Sequence, residues 1–439
     1  MRSPRFILST VSALCLAVVT CGAAAQAAPV RQLPVVSADD LTALNRIVTS
    51  APHRFAGVAV DEAARTVDVF VPSGEQARAG TDLSTLPTLA PAAPRLTVRL
   101  VPVPRSQAEL DTVFGQISAR QPWASAARGR ISAWYVNPRS NKVTVGLSEI
   151  TDAMRAAARA TFGDAVELTR MEQHHSMAGQ AVVRTGRLRA HSVAALRSAP
   201  EPAAAAAPTR LLDSRPYYGG DRIIRTQANP DGTTSIWWCT GSFTVLSGST
   251  RLMSTAGHCG PAGTAWQQGY FETGTQTIYV TGPMGTVRAV QWGNNRMDAE
   301  TLDGGSYWPG AVYGGQLDTT AWGLDGQQAA AVGSTVCSDG SVTRESCAGR
   351  ISAINACLNL NDNGTTVRVC NQALADSTTD VIVQHGDSGG PVLRHPGDPN
   401  RAVGLGIISG GSSNGLHLNF TQIQDFSSTF GATVASGNP

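Results

Sequence analysis

Lysine is all but missing from this 439-residue chain: Lys142 is the only one. Charged residues of every kind make up 15 % of it and the net charge is +2, so neither a polybasic nucleic-acid surface nor an acidic tail is written into it. Cysteine is absent between Cys21 and Cys239. Beyond the first residues no apolar run is long enough to cross a bilayer as a helix. The second half lacks long helical periodicity until its very end, and no βαβ rhythm runs through it, which excludes doubly wound and α/β-barrel folds there.

What is present divides the chain. Arg2 and Arg5 precede an apolar run from Phe6 to Val19, and Ala25-Gln26-Ala27 offers a small-residue cleavage site. That layout predicts a secretory signal over 1–27 and export to the extracellular space. A lipoprotein signal ending at Cys21 fits less well, because Thr20 precedes it. Export bears on the cysteines: Cys15 and Cys21 leave with the signal, and Cys239, Cys259, Cys337, Cys347, Cys357 and Cys370 remain. An even number in an exported chain reads as disulfides, and no pair has zinc-site spacing, so neither a metal nor another cofactor is expected. Ser198 to Thr209 is nearly all Ala and Pro, a linker in composition. Residues 28–207 carry 20 basic and 15 acidic residues and 208–439 carry 12 and 17, so opposite net charges slightly favour docking of the two parts.

The first part, 28–197, has mixed α/β patterning. Thr66–Val71 and Leu96–Val101 alternate as strands do. Ser106 and Glu109 form a capping-box pattern ahead of Leu110, Val113, Phe114 and Ile117 at helical spacing. Ile131–Val136 and Lys142–Leu147 flank a turn-rich Asn137–Asn141, as in a hairpin. A second helix is predicted over Thr151–Phe162, stopped by Gly163, and a further strand begins near Val166–Leu168. Nothing here looks catalytic. The adjacent His174 and His175 read as a solvated turn rather than a metal pair. The second part instead alternates short β-type runs with Gly, Asn, Asp and Ser clusters: Ile236–Trp238, Ser242–Leu246, Thr277–Val280, Val287–Trp292, Val381–Val383 and Ala402–Ser409. Phe420, Ile423, Phe426 and Phe430 line one short C-terminal helix. Many short strands with turn signals predict an all-β barrel or sandwich.

Three segments carry chemistry: Ser254-Thr255-Ala256-Gly257-His258-Cys259, Met297-Asp298-Ala299-Glu300, and Gly386-Asp387-Ser388-Gly389-Gly390-Pro391. A serine hydroxyl needs a base within hydrogen-bond reach to act as a nucleophile near neutral pH. His258 would take the Ser388 proton, Asp298 would hold the imidazole, and the N–H groups of Gly386 and Ser388 would face the developing oxyanion. Asp387 reads as a loop brace and His385 as an exposed loop residue. Asp303, five residues beyond Asp298, is the competing acid.

The order His258, Asp298, Ser388 resembles the triad of the chymotrypsin-like serine proteases. More narrowly, Tyr217-Tyr218-Gly219-Gly220-Asp221, Cys239-Thr240-Gly241-Ser242-Phe243 and Ser409-Gly410-Gly411 are similar to the bacterial streptogrisin and α-lytic protease branch. Trp134-Tyr135-Val136-Asn137-Pro138 with Asn141-Lys142-Val143, and Phe162-Gly163-Asp164-Ala165-Val166, resemble its pro-regions. The resemblance implies an all-β protease domain over 217–439, of two six-stranded antiparallel barrels with a short C-terminal helix. It further implies an α/β pro-region over 28–197 that assists folding and inhibits, and a linker and processing region over 198–216. Polypeptide substrates and a monomeric enzyme follow, with no nucleic-acid or membrane partner. The implied disulfides are Cys239–Cys259 and Cys337–Cys347, which leaves Cys357 and Cys370 to pair across a hairpin around Asn361–Gly364. The branch's cysteine pair around the specificity pocket is missing. Ser409, Gly410, Gly411 and Ile382 would line the substrate site, and with neither an acid at 382 nor a histidine at 408 the pocket suits apolar or aromatic side chains. Two other readings compete. A catalytically silent, protease-shaped binding protein would usually lose a triad member. An esterase using Ser388 would draw its acid and histidine from Asp398 or Asp425 with His417.

Overall fold

The computed structural model describes residues 33–36, 38–84, 96–119, 130–192, 209–398 and 400–439; the expected signal segment and the linker as far as 208 lie outside them. No described helix is long and apolar enough to cross a membrane.

The first part is α/β. Strands Leu33–Val36, Leu96–Val103, Thr66–Pro72 and Val58–Asp61 form one sheet in that order. Leu44 and Val48 of helix Ala38–Ser50 pack with Val67, Val69 and Val71 of that sheet. A second unit joins helices Gln107–Ser118 and Asp152–Phe162 to strands Ile131–Asn137, Lys142–Leu147 and Val166–Arg170. Its first helix starts at the expected capping box, with the Glu109 carboxylate accepting from the Ser106 N–H at 2.7 Å. The second starts one residue after Thr151, which serves as its cap. Leu110, Trp134, Val143, Val145 and Met154 form a core here that also takes in Cys357 and Cys370 from the second part.

The second part is all-β, and its later half closes on itself. Strands Thr335–Gly340, Arg344–Asp362, Thr365–Asp376, His417–Gln422, Arg401–Gly411 and Pro391–Arg394 pair antiparallel in that order, and the last pairs back to the first: a six-stranded barrel. The earlier half follows the path Thr244–Ser247, Thr250–Thr255, Ala299–Asp303, Thr277–Gln291, Ala265–Glu272, Arg222–Ala228, Thr233–Thr240, antiparallel throughout. Its two ends are joined by the chain itself at Gly241–Phe243, where the Ser242 N–H donates to the Ser254 carbonyl at 2.7 Å. Phe243, Val245, Leu393 and Ile407 from the two halves meet in one core, sealed by Ile423 and Phe426 of helix Ile423–Phe430. Each of those two buried side chains contributes roughly 1.5–3 kcal/mol.

Two expectations need correction. Val381–Val383 is a loop, not a strand: the Ile382 N–H donates across a gap to the Gly415 carbonyl at 2.8 Å rather than into a ladder. Phe420 belongs to the strand before the C-terminal helix rather than to the helix. The three expected disulfides, Cys239–Cys259, Cys337–Cys347 and Cys357–Cys370, are formed.

The two parts meet through backbone. Strand Ile131–Asn137 pairs with Cys357 and Leu358, continuing the barrel sheet into the α/β part. Strand Gly179–Arg184 adds to the outer edge of Thr233–Thr240, and Arg189–Ser192 pairs parallel with Thr277–Val280. One ion pair across this contact, Glu62–Arg394 at 3.2 Å, puts the acid on the basic part and the base on the acidic one.

Arg210 is fully buried in the β body. Its Nη1 donates to Asp339 at 2.8 Å and to the Gly340 carbonyl at 3.0 Å. Burial still pushes the Asp339 carboxyl up to about 7, against the pull of Arg210. Removing one partner of such a pair strands the other charge, at a cost of about 3–5 kcal/mol. Arg210→Ala in a Ser388→Ala background is therefore expected to lower the urea unfolding midpoint by the equivalent of that cost. Adding Asp339→Ala should recover most of the loss.

Candidate active site

The site lies between the two halves of the β body. Strand Thr250–Thr255 runs into a single 3-10 turn, Gly257–Cys259, which presents His258 and is tied to Thr233–Thr240 by the Cys239–Cys259 disulfide. Asp298 stands immediately before strand Ala299–Asp303. Ser388 lies in the turn ahead of strand Pro391–Arg394, and the buried Asp387 side chain shapes that turn. Asp387 accepts from the Val342, Thr343 and Gln384 N–H groups at 2.8, 3.0 and 2.7 Å, and from the Thr343 hydroxyl. Gly389 has φ +87°, and a Cβ there would come 1.9 Å from the Thr255 hydroxyl, so only glycine lets the loop lie against the histidine strand.

His258 Nε2 is 2.7 Å from Ser388 Oγ, and His258 Nδ1 is 2.7 Å from Asp298 Oδ2. The His258 backbone N–H donates to Asp298 Oδ1 at 2.9 Å, and the Ser409 hydroxyl donates to Asp298 Oδ2 at 2.6 Å. Thr421 fixes the Asp298 backbone, its hydroxyl donating to the Asp298 carbonyl at 2.7 Å. Burial is the largest influence on His258 and lowers its pKa. The Asp298 charge and hydrogen bond together outweigh burial, so the net shift is upward. Asp303 sits at the far end of the strand, exposed and paired with Arg288 at 3.1 Å. The esterase geometry is not assembled either, because His417 Nδ1 is bound to Asp376 at 2.7 Å.

The cleft is occupied by the chain's own residues 174–178. Ser176 and His175 pair antiparallel with Gly410 and Gly411. On the other side the Asn361 N–H donates to the His174 carbonyl at 2.8 Å, and the Ser176 hydroxyl donates to Asp362 Oδ1 at 2.7 Å. The Met177 carbonyl then accepts from the Gly386 N–H at 2.5 Å and from the Ser388 N–H at 3.4 Å, the two donors expected to face an oxyanion. His385 is exposed, with Nδ1 3.3 Å from the Ala178 carbonyl. His174 and His175 are therefore not a solvated turn. His174 is buried, with Nδ1 3.1 Å from Asn419 Oδ1.

The Met177 side chain is 2 % exposed and packs with Ile382, Val383 and Ile408. Beside it a cavity of about 290 Å³ is walled by Val381, Val383 and His385 on one side and Ser412, Ser413 and Gly415 on the other. Glycine at 411 lets Val383 lie against the strand: a Cβ there would come 2.4 Å from Val383 and 3.5 Å from the Met177 methyl. Ile382 sits in the same apolar cluster but is not among the cavity walls. Ser409, expected on the strand that pairs with substrate backbone, points its hydroxyl at Asp298. Sequence reasoning missed Met177, whose only signal was a linear apolar residue in Ser176-Met177-Ala178-Gly179. It also missed Trp292, whose ring lies tilted against that of His258 with centroids 5.3 Å apart.

Residues 105–165, in the middle of the first part, match the family described as the alpha-lytic protease prodomain. Among solved structures, the chain is similar to Thermobifida fusca Protease A at 24 % identity over 50 % of this chain and 98 % of that one, with a TM-score of 0.37. A Cellulomonas bogoriensis chymotrypsin matches at 22 % over 50 % and 98 %, TM-score 0.36. A Nocardiopsis protease matches at 21 % over 50 % and 98 %, TM-score 0.38.

Burial pushes His174 down to about 4, with His417 adding to the fall and Asn419, Asp376 and Glu172 opposing it. A base held below its free value of 6.5 favours docking fully above that pH and loses the contribution as pH falls toward 4. Amide exchange of residues 174–178 in Ser388→Ala protein, corrected for intrinsic rates, should therefore lose protection across that range, by up to about two orders of magnitude. His174→Asn should flatten the dependence.

Proposed function

We propose that the chain is the precursor of a secreted serine endopeptidase, with Ser388 as nucleophile, His258 as general base and acid, and Asp298 as the carboxylate that orients and stabilises the imidazolium. The observation that carries this reading is the hydrogen-bonded line Asp298–His258–Ser388 ending beneath a peptide carbonyl, that of Met177, held by the Gly386 and Ser388 N–H groups. Ser388 Oγ attacks the substrate carbonyl carbon while His258 Nε2 takes its proton. The negative oxygen stays on the two N–H groups; losing one such donor typically costs about 10²–10³ in turnover. As the C–N bond breaks, the imidazolium gives its proton to the leaving amine. Water, activated by the same histidine, then hydrolyses the acyl-Ser388 ester.

The first part acts as pro-region, supported by its prodomain match and by its segment lying in the cleft as a substrate would. The enzyme works as an exported monomer on polypeptides. The protease body is taken to include 209–216, a reading supported by the burial of Arg210 in it, and the linker is then cut within 198–208. The pocket takes an apolar side chain of about methionine's length, because Met177 packs there on Ile382, Val383 and Ile408 and the cavity beside it is lined by valines, uncharged polar side chains and His385, with no Asp, Glu, Lys or Arg.

Purified mature protein should cleave casein, and Ser388→Ala should not; equal activity in the two would point to a silent binding protein. Asp298→Asn is expected to lower kcat by about 10⁴. Activity should fall on the acid side as His258 protonates, at a pH above the ordinary histidine value of 6.5, given its upward shift. In a peptide library, cleavage after Met and other apolar residues should exceed that after Lys or Glu by at least about 10²-fold. Dominance of a charged residue would overturn the pocket assignment.

A further inference from the structure

The pro-segment does not end at the site; it runs through it. Met177 has its side chain in the pocket and its carbonyl on both N–H donors, and Ser176 and His175 lie on the Gly410–Gly411 edge. The chain then continues on the leaving-group side. Gly179–Arg184 pairs in six consecutive registers with Trp238 back to Thr233. Gly179 is fitted to this path, since a Cβ there would come 1.9 Å from the Trp238 ring. Val183 is buried against Ile224, Ile236 and Ile278, and Arg189–Ser192 adds four parallel registers on Thr277–Val280. The same chain is therefore anchored on both sides of one peptide bond, and that bond is the one set against Ser388.

We infer that Met177–Ala178 is the first bond cut in maturation, ahead of any cut in the linker. This rests on reading Ser388 as the nucleophile. Ser388 Oγ adds to the Met177 carbonyl carbon and gives its proton to His258. The bond to the Ala178 nitrogen breaks and that nitrogen takes the proton. Water then releases Met177 as a carboxylate and restores Ser388. The cut divides the precursor unequally: everything through Met177 becomes a separate polypeptide. Residues 178–192 stay joined to the protease through 193–208 and remain paired on its sheet edge. The linker cut, when it comes, removes only that stub.

The test follows the secreted wild-type precursor over time by intact-mass and terminal sequencing. The liberated pro fragment should end at Met177, and a protease form starting at Ala178 should precede any form starting in 193–208. A pro fragment whose C-terminus lies in 193–208, with no Ala178 terminus at any time, overturns the inference. Met177→Asp, which puts a charge into the apolar pocket, should slow appearance of the Ala178 terminus at least tenfold. Met177→Leu, of similar volume, should process at close to the wild-type rate, and it keeps the comparison decisive if the Asp variant fails to fold. Unslowed processing of a folded Met177→Asp protein would count against the inference. Casein hydrolysis by wild type against Ser388→Ala, read on the same samples, separates the two failures. Activity with a linker-ended pro fragment sinks this inference alone, whereas no activity sinks the protease reading beneath it.

Discussion

A buried carboxylate organises this molecule. Asp298 is fully buried, and an ion in that position costs several kcal/mol unless its oxygens are satisfied. Its oxygens are satisfied from both halves of the β body: His258 supplies a backbone N–H and Nδ1, and Ser409 supplies a hydroxyl. Thr421, also from the second half, holds the Asp298 backbone. Meeting that demand fixes the histidine turn against strand Arg401–Gly411. It thereby sets the Gly410–Gly411 edge beside the Ser388 hydroxyl, where an extended chain can pair. The hydrogen-bonded line to Ser388 and the position of the Gly410–Gly411 edge thus follow from one constraint.

The second organising fact is that unpaired strand edges must be covered. The hairpin closed by Cys357–Cys370 and the Gly410–Gly411 edge both present free backbone groups, and the first part of the chain meets them as added strands. Strand Ile131–Asn137 takes the hairpin, and 174–176 lies between the hairpin tip and the cleft edge. Backbone pairing reads geometry rather than charge. Across the same contact the Glu62–Arg394 pair runs against the net charges of the two parts.

The same distinction explains what could be read from sequence. His258, Asp298 and Ser388 were legible because their chemistry demands particular residue types in a particular order, and the fold followed from the same motifs. The capping box at Ser106 and the hairpin around Asn137–Asn141 were legible because local backbone conformation dictates their residues. Met177 was not, since an inserted strand is held through N–H and C=O groups that every residue carries. Asp303 competed with Asp298 until the fold set the first on an exposed strand end and the second beneath His258. Val381–Val383 has strand composition, yet its backbone bonds to Gly415 across a pocket, a long-range choice that composition does not encode.

That last bond bears on how the pocket is held. Where a cysteine bridge would join the two walls, the Ile382 N–H and the Gly415 carbonyl join them instead. A backbone hydrogen bond contributes about 0.5–1.5 kcal/mol net, against roughly 2–4 for a disulfide, so the walls are tied less firmly. In the precursor the difference is offset from inside, because Met177 packs on Ile382 and Val383 and fills the space between the walls. The pro-segment is then more than a block. It completes the apolar cluster that the walls would otherwise have to hold by themselves. If the proposed function holds, a pocket shaped in that way selects for what shaped it, which would tie the proposed first cut and the proposed substrate preference to the same side chain.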